Sequence, residues 1–297
     1  AAIAAATIYL AFLFWIAAKR DRGAAQGIRD DWLGRNQGLV YGLSLAVYCT
    51  SWTFFGGVGT AATTGWDFLP IYLGPILVFT VGFGLVRRIL RQAKSHHSTS
   101  IADFLSARYG KSAGVAALVT LIATIGSLPY MALQLQSVGN SLLQLDPALA
   151  TTIALDELVL LTAAIMALFA IMFGSKRVDH VGENAGLVLT IAIEAVVKLV
   201  ALIAVAALAL MALTGLPETD SEQAQTVFAV SQFDARFAVL TLIAACAALC
   251  LPRQFHMTFV EAHSESADRS MRWIFPAYLV LISIVIIPIV LAGIAVL

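Results

Sequence analysis

Two oppositely charged residues lie four positions apart inside an apolar segment of the chain. Glu194 and Lys198 are the only charged residues between positions 184 and 213. The i,i+4 spacing places both side chains on one face of a helix. Charges at membrane depth are costly, and those that occur there are often functional. We expect this pair either to take part in ion coupling or to form a structural ion pair, and the sequence leaves both readings open.

Amide side chains interrupt another long apolar segment. Gln134 shares a helical face with Ser137 through i,i+3 spacing, whereas Gln136 shares a different face with Asn140 through i,i+4 spacing. Such side chains can bind a polar ligand, or they can form hydrogen bonds between helices. The spacing alone does not decide between these two roles.

The histidine clusters do not match a metal motif. His256, Glu261 and His263 lie close together, but their spacing is not that of the His-Glu-x-x-His zinc motif. His96 and His97 precede Ser-Thr-Ser and are expected to form a solvated turn. We therefore predict no catalytic residue and no metal site in this chain.

Two apolar segments contain residues that interrupt a helix. The stretch from Tyr48 to Thr60 has three glycines and four hydroxyl residues, which leave backbone groups poorly satisfied at membrane depth. In a later segment, Pro252 removes a backbone donor and is followed directly by Arg253 and Gln254. We predict a broken helix in each segment. The alternative for each segment is a glycine-rich packing seam or a helix that simply ends at the interface.

The elements that must position these residues are membrane helices. Apolar residues make up 60% of the 297 residues and charged residues only 12%, with a mean hydropathy of +0.88, far from the balance of a soluble domain. The net charge is zero, which excludes the basic surface of a nucleic-acid-binding protein. Eight segments are long and apolar enough to cross a bilayer. They are 2–18, 38–61, 68–90, 113–143, 157–173, 184–213, 237–258 and 272–297.

The basic residues predict the orientation of these segments. All of the 18 lysine and arginine residues except Lys198 and Arg236 fall in alternate loops, and such loops face the cytoplasm. The N-terminus is therefore predicted to lie outside, so that the second segment runs outward and the seventh runs inward. Interrupted helices in two oppositely oriented halves are typical of secondary transporters.

Three stretches of sequence resemble a known family. Tyr48-Cys-Thr-Ser-Trp-Thr-Phe-Phe-Gly-Gly resembles the first core helix of the sodium/solute symporter family, and Ser100-Ile-Ala-Asp-Phe-Leu-Ser-Ala-Arg-Tyr resembles its conserved loop. Leu251-Pro-Arg-Gln-Phe-His-Met-Thr-Phe-Val-Glu, with Arg272-Trp-Ile-Phe-Pro, is similar to the branch that is fused to bacterial sensor histidine kinases of the carbon/nitrogen-balance type. The resemblance covers nearly the whole chain.

The resemblance implies an all-α, polytopic transmembrane bundle with a partial LeuT-like inverted-repeat fold. Residues 1–18 would be an extra N-terminal helix, 38–213 the first five-helix repeat, and 237–297 the truncated start of the second repeat. We expect the chain to be part of a longer protein. Tyr48 stands where symporters of proline carry an acidic residue, and the chain does not reach the eighth core helix, so the coupling ion is left open between sodium and a proton.

The function that the resemblance implies is binding or transport of a small polar solute, an amino acid or another small carboxylate. The module would be the input domain of a sensor histidine kinase, with a stand-alone secondary transporter as the alternative. Expected partners are the solute, the bacterial inner membrane and a response regulator reached through a kinase region outside this chain. No cofactor is expected in this chain. ATP is expected to bind only where a kinase domain follows. Binding is expected to use unwound backbone at Thr50 to Gly57 and at Pro252 to Gln254, where free N–H groups and helix ends can meet the solute. The residues expected to contact the solute are Thr50, Ser51, Trp52, Phe55, Gly56, Gly57, Gln134, Gln136, Pro252 and Gln254.

Overall fold

The structure is entirely helical in the part of the chain that it describes. The computed structural model describes residues 2–25, 36–146, 153–169, 185–214, 227–228, 233–262 and 265–296, and no strand occurs among them. The all-α prediction is therefore confirmed for these residues. The region 170–184, in which the predicted fifth segment ends and the sixth begins, lies outside them, as does His263.

The described residues include twelve α-helices. They are α1 (Ala2–Ala25), α2 (Gln37–Ser44), α3 (Ser51–Thr64), α4 (Pro70–Thr80), α5 (Phe83–Ser95), α6 (Ile101–Arg108), α7 (Ala113–Leu145), α8 (Leu155–Phe169), α9 (Ala185–Leu213), α10 (Ala235–Cys250), α11 (Pro252–Phe255) and α12 (Glu265–Val296). A 3-10 turn follows α2 (Leu45–Tyr48) and another follows α3 (Gly65–Phe68), and a π-helical turn follows α11 (His256–Val260).

Several of these helices have the length and composition of membrane spans. Three are unbroken, namely Ala113–Leu145, Gly186–Leu213 and Ser270–Ala295, and three bent helix pairs raise the number to as many as six among the described residues. Large apolar side chains, such as Leu121, Ile125 and Leu128 on α7, are exposed, which is expected where a surface faces lipid rather than water. The chain is thus a membrane helical bundle, and the full count of eight spans stays a prediction.

Helix α12 forms the centre of the bundle. It packs against α2, α3, α4 and α9. Its inward face repeats every three or four residues, and Phe275, Leu279, Ile282 and Ile286 on that face are completely buried. Because α2 and α3 both pack against α12, this buried helix supports the break between them.

The predicted segment 68–90 is not a single straight helix. It divides into α4 and α5, which meet at Val81 and Gly82 with a bend of 72°. Arg87, Arg88 and Arg91 lie on exposed positions of α5, which makes this helix amphipathic. The bend directs these charged residues away from the axis of the apolar helix α4. For this reason the segment forms two helices and not the single one predicted.

The loop that resembles the conserved symporter loop forms a capped helix. The Oγ of Ser100 accepts a hydrogen bond from the backbone N–H of Asp103 at 3.1 Å, and the Asp103 carboxylate accepts one from the N–H of Thr99 at 3.1 Å. This is a capping arrangement at the start of α6. In the nearby Gly-x-Ser-x-Gly string, Gly110 to Gly114, the Oγ of Ser112 caps the start of α7 by accepting a hydrogen bond from the backbone N–H of Val115 at 3.4 Å.

The orientation of the bundle can be tested with single cysteines in a chain whose native cysteines are replaced by serine. Cysteines at Lys94, Lys176 and Ser266 should be protected from an impermeant thiol reagent in whole cells, because the basic loops are predicted to be cytoplasmic. Cysteines at Pro147 and Thr219 should be labelled. The reverse labelling pattern would contradict the predicted orientation and, with it, the inverted-repeat arrangement.

Candidate functional site

The first predicted break is present, but it is shorter than predicted. Helices α2 and α3, each with its 3-10 turn, form a pair bent by 57°, and only Cys49 and Thr50 between them are non-helical. The expectation that Thr50 to Gly57 are unwound is wrong, because α3 begins at Ser51 and includes both Gly56 and Gly57. These two glycines are tolerated in the helix because neighbouring helices and side chains pack on them.

The packing around these glycines explains why no side chain stands there. A Cβ atom on Gly57 would lie 3.0 Å from the hydroxyl of Tyr72 and 3.2 Å from Cδ1 of Ile286. A Cβ atom on Gly56 would lie 2.3 Å from Nε1 of Trp52. Gly56 and Gly57 therefore give room to neighbouring side chains and do not offer free backbone to a ligand.

The second predicted break lies at Leu251. This residue is extended, with φ −62° and ψ 128°, and α10 is bent by 56° relative to the segment Pro252–Val260. The prediction that Pro252 to Gln254 are unwound is wrong, because Pro252 is the first residue of the short helix α11. Proline suits this position, since the missing N–H would have no helical partner there.

The segments beside the two breaks are joined by hydrogen bonds. The Nε2 of Gln254 donates to the carbonyl of Leu45 at 3.4 Å, and Gln254 is completely buried. The hydroxyl of Tyr41 lies 3.1 Å from the carbonyl of Met257 and 2.9 Å from that of Thr258, and can donate to either. Gln254 thus connects the two interrupted helices and does not line the cavity described below.

The start of α3 is bonded to the long helix α7. The Oε1 of Gln134 accepts a hydrogen bond from the backbone N–H of Ser51 at 3.2 Å and another from the Ser51 hydroxyl. One of the free donors at the start of α3 is therefore already occupied. Gln136 is exposed, and it is not brought to the break, since two residues along a helix turn a side chain to a different face.

An arginine reaches across to the first break from the second. The Nη2 of Arg253 donates to the hydroxyl of Tyr130 at 3.1 Å, and the guanidinium also lies 5.1 Å from the centre of that ring. The Tyr130 hydroxyl in turn donates to Oγ1 of Thr50 at 2.6 Å. The Nε–H of Arg253 is buried and has no hydrogen-bond partner within the described residues. A buried, unpartnered donor on a cation is costly, and an anionic ligand would satisfy it.

A cavity of about 500 Å³ lies between the two interrupted helices. Its wall on one side is apolar and comes from Leu240, Ile243, Ala244 and Ala247 of α10. The polar or charged residues that line it are Tyr48, Thr50, Thr53, Thr60, Asp67, Tyr72, Tyr130, Arg236 and Arg253. The hydroxyl of Tyr72 is also buried. This volume and lining are typical of a small-molecule site.

The sequence-predicted residues divide into two groups around this cavity. Thr50 and Trp52 line it, and Ser51 and Gln134 hold the break beside it. The other predicted residues do not line it, and these are Phe55, Gly56, Gly57, Gln136, Pro252 and Gln254. Phe55 and Pro252 are exposed, because their helical positions face away from the cavity.

An ion pair borders the same cavity at the far end of α10. The Nη1 of Arg236 lies 3.4 Å from the Asp67 carboxylate, and the Arg236 side chain is 69% exposed. Arg236 is the second of the 16 residues of α10, and Arg253 follows the end of that helix, which separates them by about 25 Å along the helix direction. One arginine is therefore at an exposed rim, and the other is half-buried at the breaks, with its Nε atom buried.

The pair Glu194 and Lys198 is in contact and reaches the first break from another side. The Nζ of Lys198 lies 2.7 Å from the Glu194 carboxylate and donates to the carbonyl of Cys49 at 3.0 Å. Lys198 also lines a second cavity of about 260 Å³, together with Thr50, Ser51 and Thr53. The described residues hold no cluster of three or more His, Cys, Asp or Glu side chains suited to a metal ion.

Sequence reasoning missed several residues of this arrangement. The sequence pattern assigns Arg253 only to the helix break beside Pro252, although a charge directly after a proline in an apolar segment also indicates a candidate binding residue. Tyr130 and Tyr72 gave no such signal, because tyrosine is common in apolar helices. The structure adds Tyr72, Tyr130, Arg236 and Arg253 to the candidate site.

The apolar helical bundle, with two bent helices around a partly polar cavity, defines an α-helical membrane protein with an internal cavity. The Sodium:solute symporter family matches residues 34–239. The chain belongs to that family. The match includes the first break and the start of α10 but ends before Leu251.

Two curated proteins of Bacillus subtilis (strain 168) are similar to parts of this chain. "Uncharacterized symporter YodF" is 28% identical over 129 residues, which are 42% of this chain and 26% of that protein. "Uncharacterized symporter YhjB" is 31% identical over 109 residues, which are 36% of this chain and 22% of that protein. The similarity thus spans about a quarter of the length of each relative. No solved structure gives a significant match to the chain.

Proposed function

We propose that this chain is the solute-binding and transporting part of a symporter, and that the solute is an amino acid or another small carboxylate. The observation that carries the proposal is the buried Nε–H of Arg253, which has no partner within the described residues and belongs to a side chain lining the cavity between the two breaks. Membership of the symporter family and the names of the two relatives support transport.

A carboxylate is the ligand group that fits Arg253 best. One Nη of its guanidinium already bonds Tyr130, which leaves the Nε edge for a second acceptor. A carboxylate can accept there through strong, charge-assisted hydrogen bonds. The hydroxyls of Thr50, Thr53 and Tyr72 supply neutral polar contacts around it. The apolar wall from α10 would accommodate the rest of a small solute.

Comparing an amino acid with its carboxamide tests this proposal. Binding of the twenty amino acids and of small carboxylates to the purified full-length protein is measured by calorimetry. The tightest ligand is then compared with its carboxamide, in which a neutral amide group of the same size replaces the negatively charged carboxylate. The carboxamide should bind about 100-fold more weakly, because a buried charge pair contributes several kcal/mol. Equal affinities would contradict carboxylate recognition, and no binding by any member of the panel would contradict the solute class.

The transport mechanism that we propose is alternating access in a LeuT-like inverted-repeat fold with eight spans in this chain and an outside N-terminus. The support comes from the two bends of 57° and 56°, one in the first part of the chain and one after position 250. In such folds the solute binds at paired interrupted helices. The predicted repeats, 38–213 and 237–297, would then rock against each other around the cavity.

We further propose that the whole protein is a sensor histidine kinase of a bacterial inner membrane, with this module as its input domain and a response regulator as its partner. The support is the stretch from Leu251 to His256, which resembles the kinase-fused branch. The second candidate is a stand-alone transporter, which the names of the relatives favour. The sequence after Leu297 separates the two, since a phosphoacceptor-histidine helix and a nucleotide-binding region would occur only in the first.

A further inference from the structure

The carbonyl group at the first break has an unusual partner. Cys49 lies at the end of the α2 segment, where carbonyl groups lack helical partners and carry partial negative charge. The ammonium group of Lys198 donates to the Cys49 carbonyl at 3.0 Å from a position 149 residues away in the chain. The same ammonium is 2.7 Å from the Glu194 carboxylate. The ammonium group of Lys198 thus contacts both the first helix break and the acidic side chain of Glu194, which lies on α9 as Lys198 does.

The position of Lys198 is fixed by the surrounding helices. The hydroxyl of Tyr278 on α12 donates to the carbonyl of Ala195 at 2.9 Å, which ties α9 to the central helix one residue from Glu194. Helix α9 also packs directly on α2. The contact between Lys198 and the break is therefore set by how α9 packs on α2, and the Lys198 side chain is 34% exposed.

We propose that Lys198 is a tethered cation that takes the place of a coupling metal ion at the first break. An ammonium group and a small monovalent metal ion compete for the same oxygen ligands, so one carbonyl cannot serve both at full strength. The hydroxyl residues Thr50, Ser51 and Thr53 line the cavity beside the ammonium group. Together with Glu194 and the Cys49 carbonyl, these oxygens would suit sodium if the lysine were removed.

This inference deepens the proposed function and rests on it for its consequence in transport. If the break already has its own cation, solute binding and uptake do not need sodium, although the chain belongs to a family that is named for this ion. A proton gradient or the solute gradient would then drive transport. The structural part of the inference, that Lys198 substitutes for a metal ion, can be measured without any solute.

The experiment compares thermal unfolding of the full-length protein and two lysine variants in detergent. Each protein is measured in N-methylglucamine chloride, sodium chloride and methylammonium chloride at equal ionic strength. Lys198→Ala should unfold several degrees lower than the wild type in N-methylglucamine, and sodium or methylammonium should restore part of this loss. The control is Lys94→Ala, since Lys94 also donates to a backbone carbonyl, that of Val260 at 2.7 Å, but is absent from the lining of this cavity. It should show no cation-specific recovery.

The wild-type protein decides the question if Lys198→Ala fails to fold. Its unfolding midpoint should be the same in sodium and in N-methylglucamine, because Lys198 occupies the site. A sodium-specific rise in the wild type would overturn the inference, as would a folded Lys198→Ala variant that responds to neither cation. Loss of amino-acid binding in the calorimetric test would contradict the proposed function but would not change these cation effects.

Discussion

Replacing Arg253 by glutamine should lower the affinity for the tightest-binding amino acid by about 100-fold. The reason is that a buried, hydrogen-bonded charge pair is worth about 2–5 kcal/mol when one partner is truncated, and each 1.4 kcal/mol is tenfold in the dissociation constant. Arg253→Lys should recover only part of the affinity, because an ammonium group is a point charge without the planar, two-donor edge of guanidinium. Calorimetry on the purified full-length variants measures both effects.

Arg236→Gln is the matched control for Arg253→Gln. Both arginines line the same cavity, but Arg236 is 69% exposed and pairs with Asp67 at the rim. Exposed ion pairs contribute little, about 0–1 kcal/mol, so the affinity should change only a few-fold. Unfolding temperatures of both variants show whether a loss of binding reflects a loss of structure. Equal effects of the two substitutions on affinity would show that Arg253 has no special role.

The two helix breaks were predictable because the residues that interrupt helices are visible in a sequence. Pro252 identifies the second break to within one residue, since the extended residue is Leu251. The first break lies before the glycines that predicted it, at Cys49 and Thr50. Glycine weakens a helix but does not end it when neighbouring residues pack against it. Gly57 lies against Tyr72 and Ile286 in the folded protein, and no local pattern contains that information.

Contacts between near neighbours in the chain were easier to predict than contacts across the bundle. Glu194 and Lys198 are four residues apart, so helical geometry alone brings them together. The bond from Lys198 to Cys49 joins residues that are 149 positions apart, and that from Arg253 to Tyr130 spans 123. These depend on which helices pack side by side, which periodicity does not specify.

The choice of face on α7 illustrates the same limit. Gln134 and Gln136 are equally polar and lie in the same apolar helix, and no local pattern favours one over the other as a contact of the break. In the structure Gln134 accepts a hydrogen bond from the first residue of α3, whereas Gln136 is exposed. A sequence pattern can identify a polar residue in a membrane helix, but only the packing shows which helix that residue meets.

Replacing Gly74 by alanine should strongly destabilise the protein and abolish solute binding. Gly74 lies on α4, where α4 crosses α10. A Cβ atom added there would be 2.5 Å from the backbone nitrogen of Ala245 and 2.7 Å from the carbonyl oxygen of Thr241. Both are backbone atoms of a packed helix, so relief requires the two helices to separate. Overpacking of this kind costs about 1–3 kcal/mol or more.

The loss of binding should accompany the loss of stability, because the same two helices form the walls of the cavity. Pro70 and Tyr72 of α4 face Ala244 and Ala247 of α10 across it. Separating α4 from α10 would move one wall and change the distance from Tyr72 to any solute held by Arg253. Folded yield, unfolding temperature and calorimetric affinity of Gly74→Ala measure these effects together.

Gly126→Ala is the control that separates steric contact from helix propensity. Gly126 also lies inside a long helix, α7, but a Cβ atom on it would meet nothing within 4 Å. Alanine is favoured over glycine in a helix by about 1 kcal/mol, so this variant should be as stable as the wild type or more stable. A Gly74→Ala variant with wild-type stability and affinity would show that α4 and α10 do not approach each other this closely. The cavity between the two interrupted helices would then need another wall, and the placement of the solute beside Arg253 would lose its structural basis.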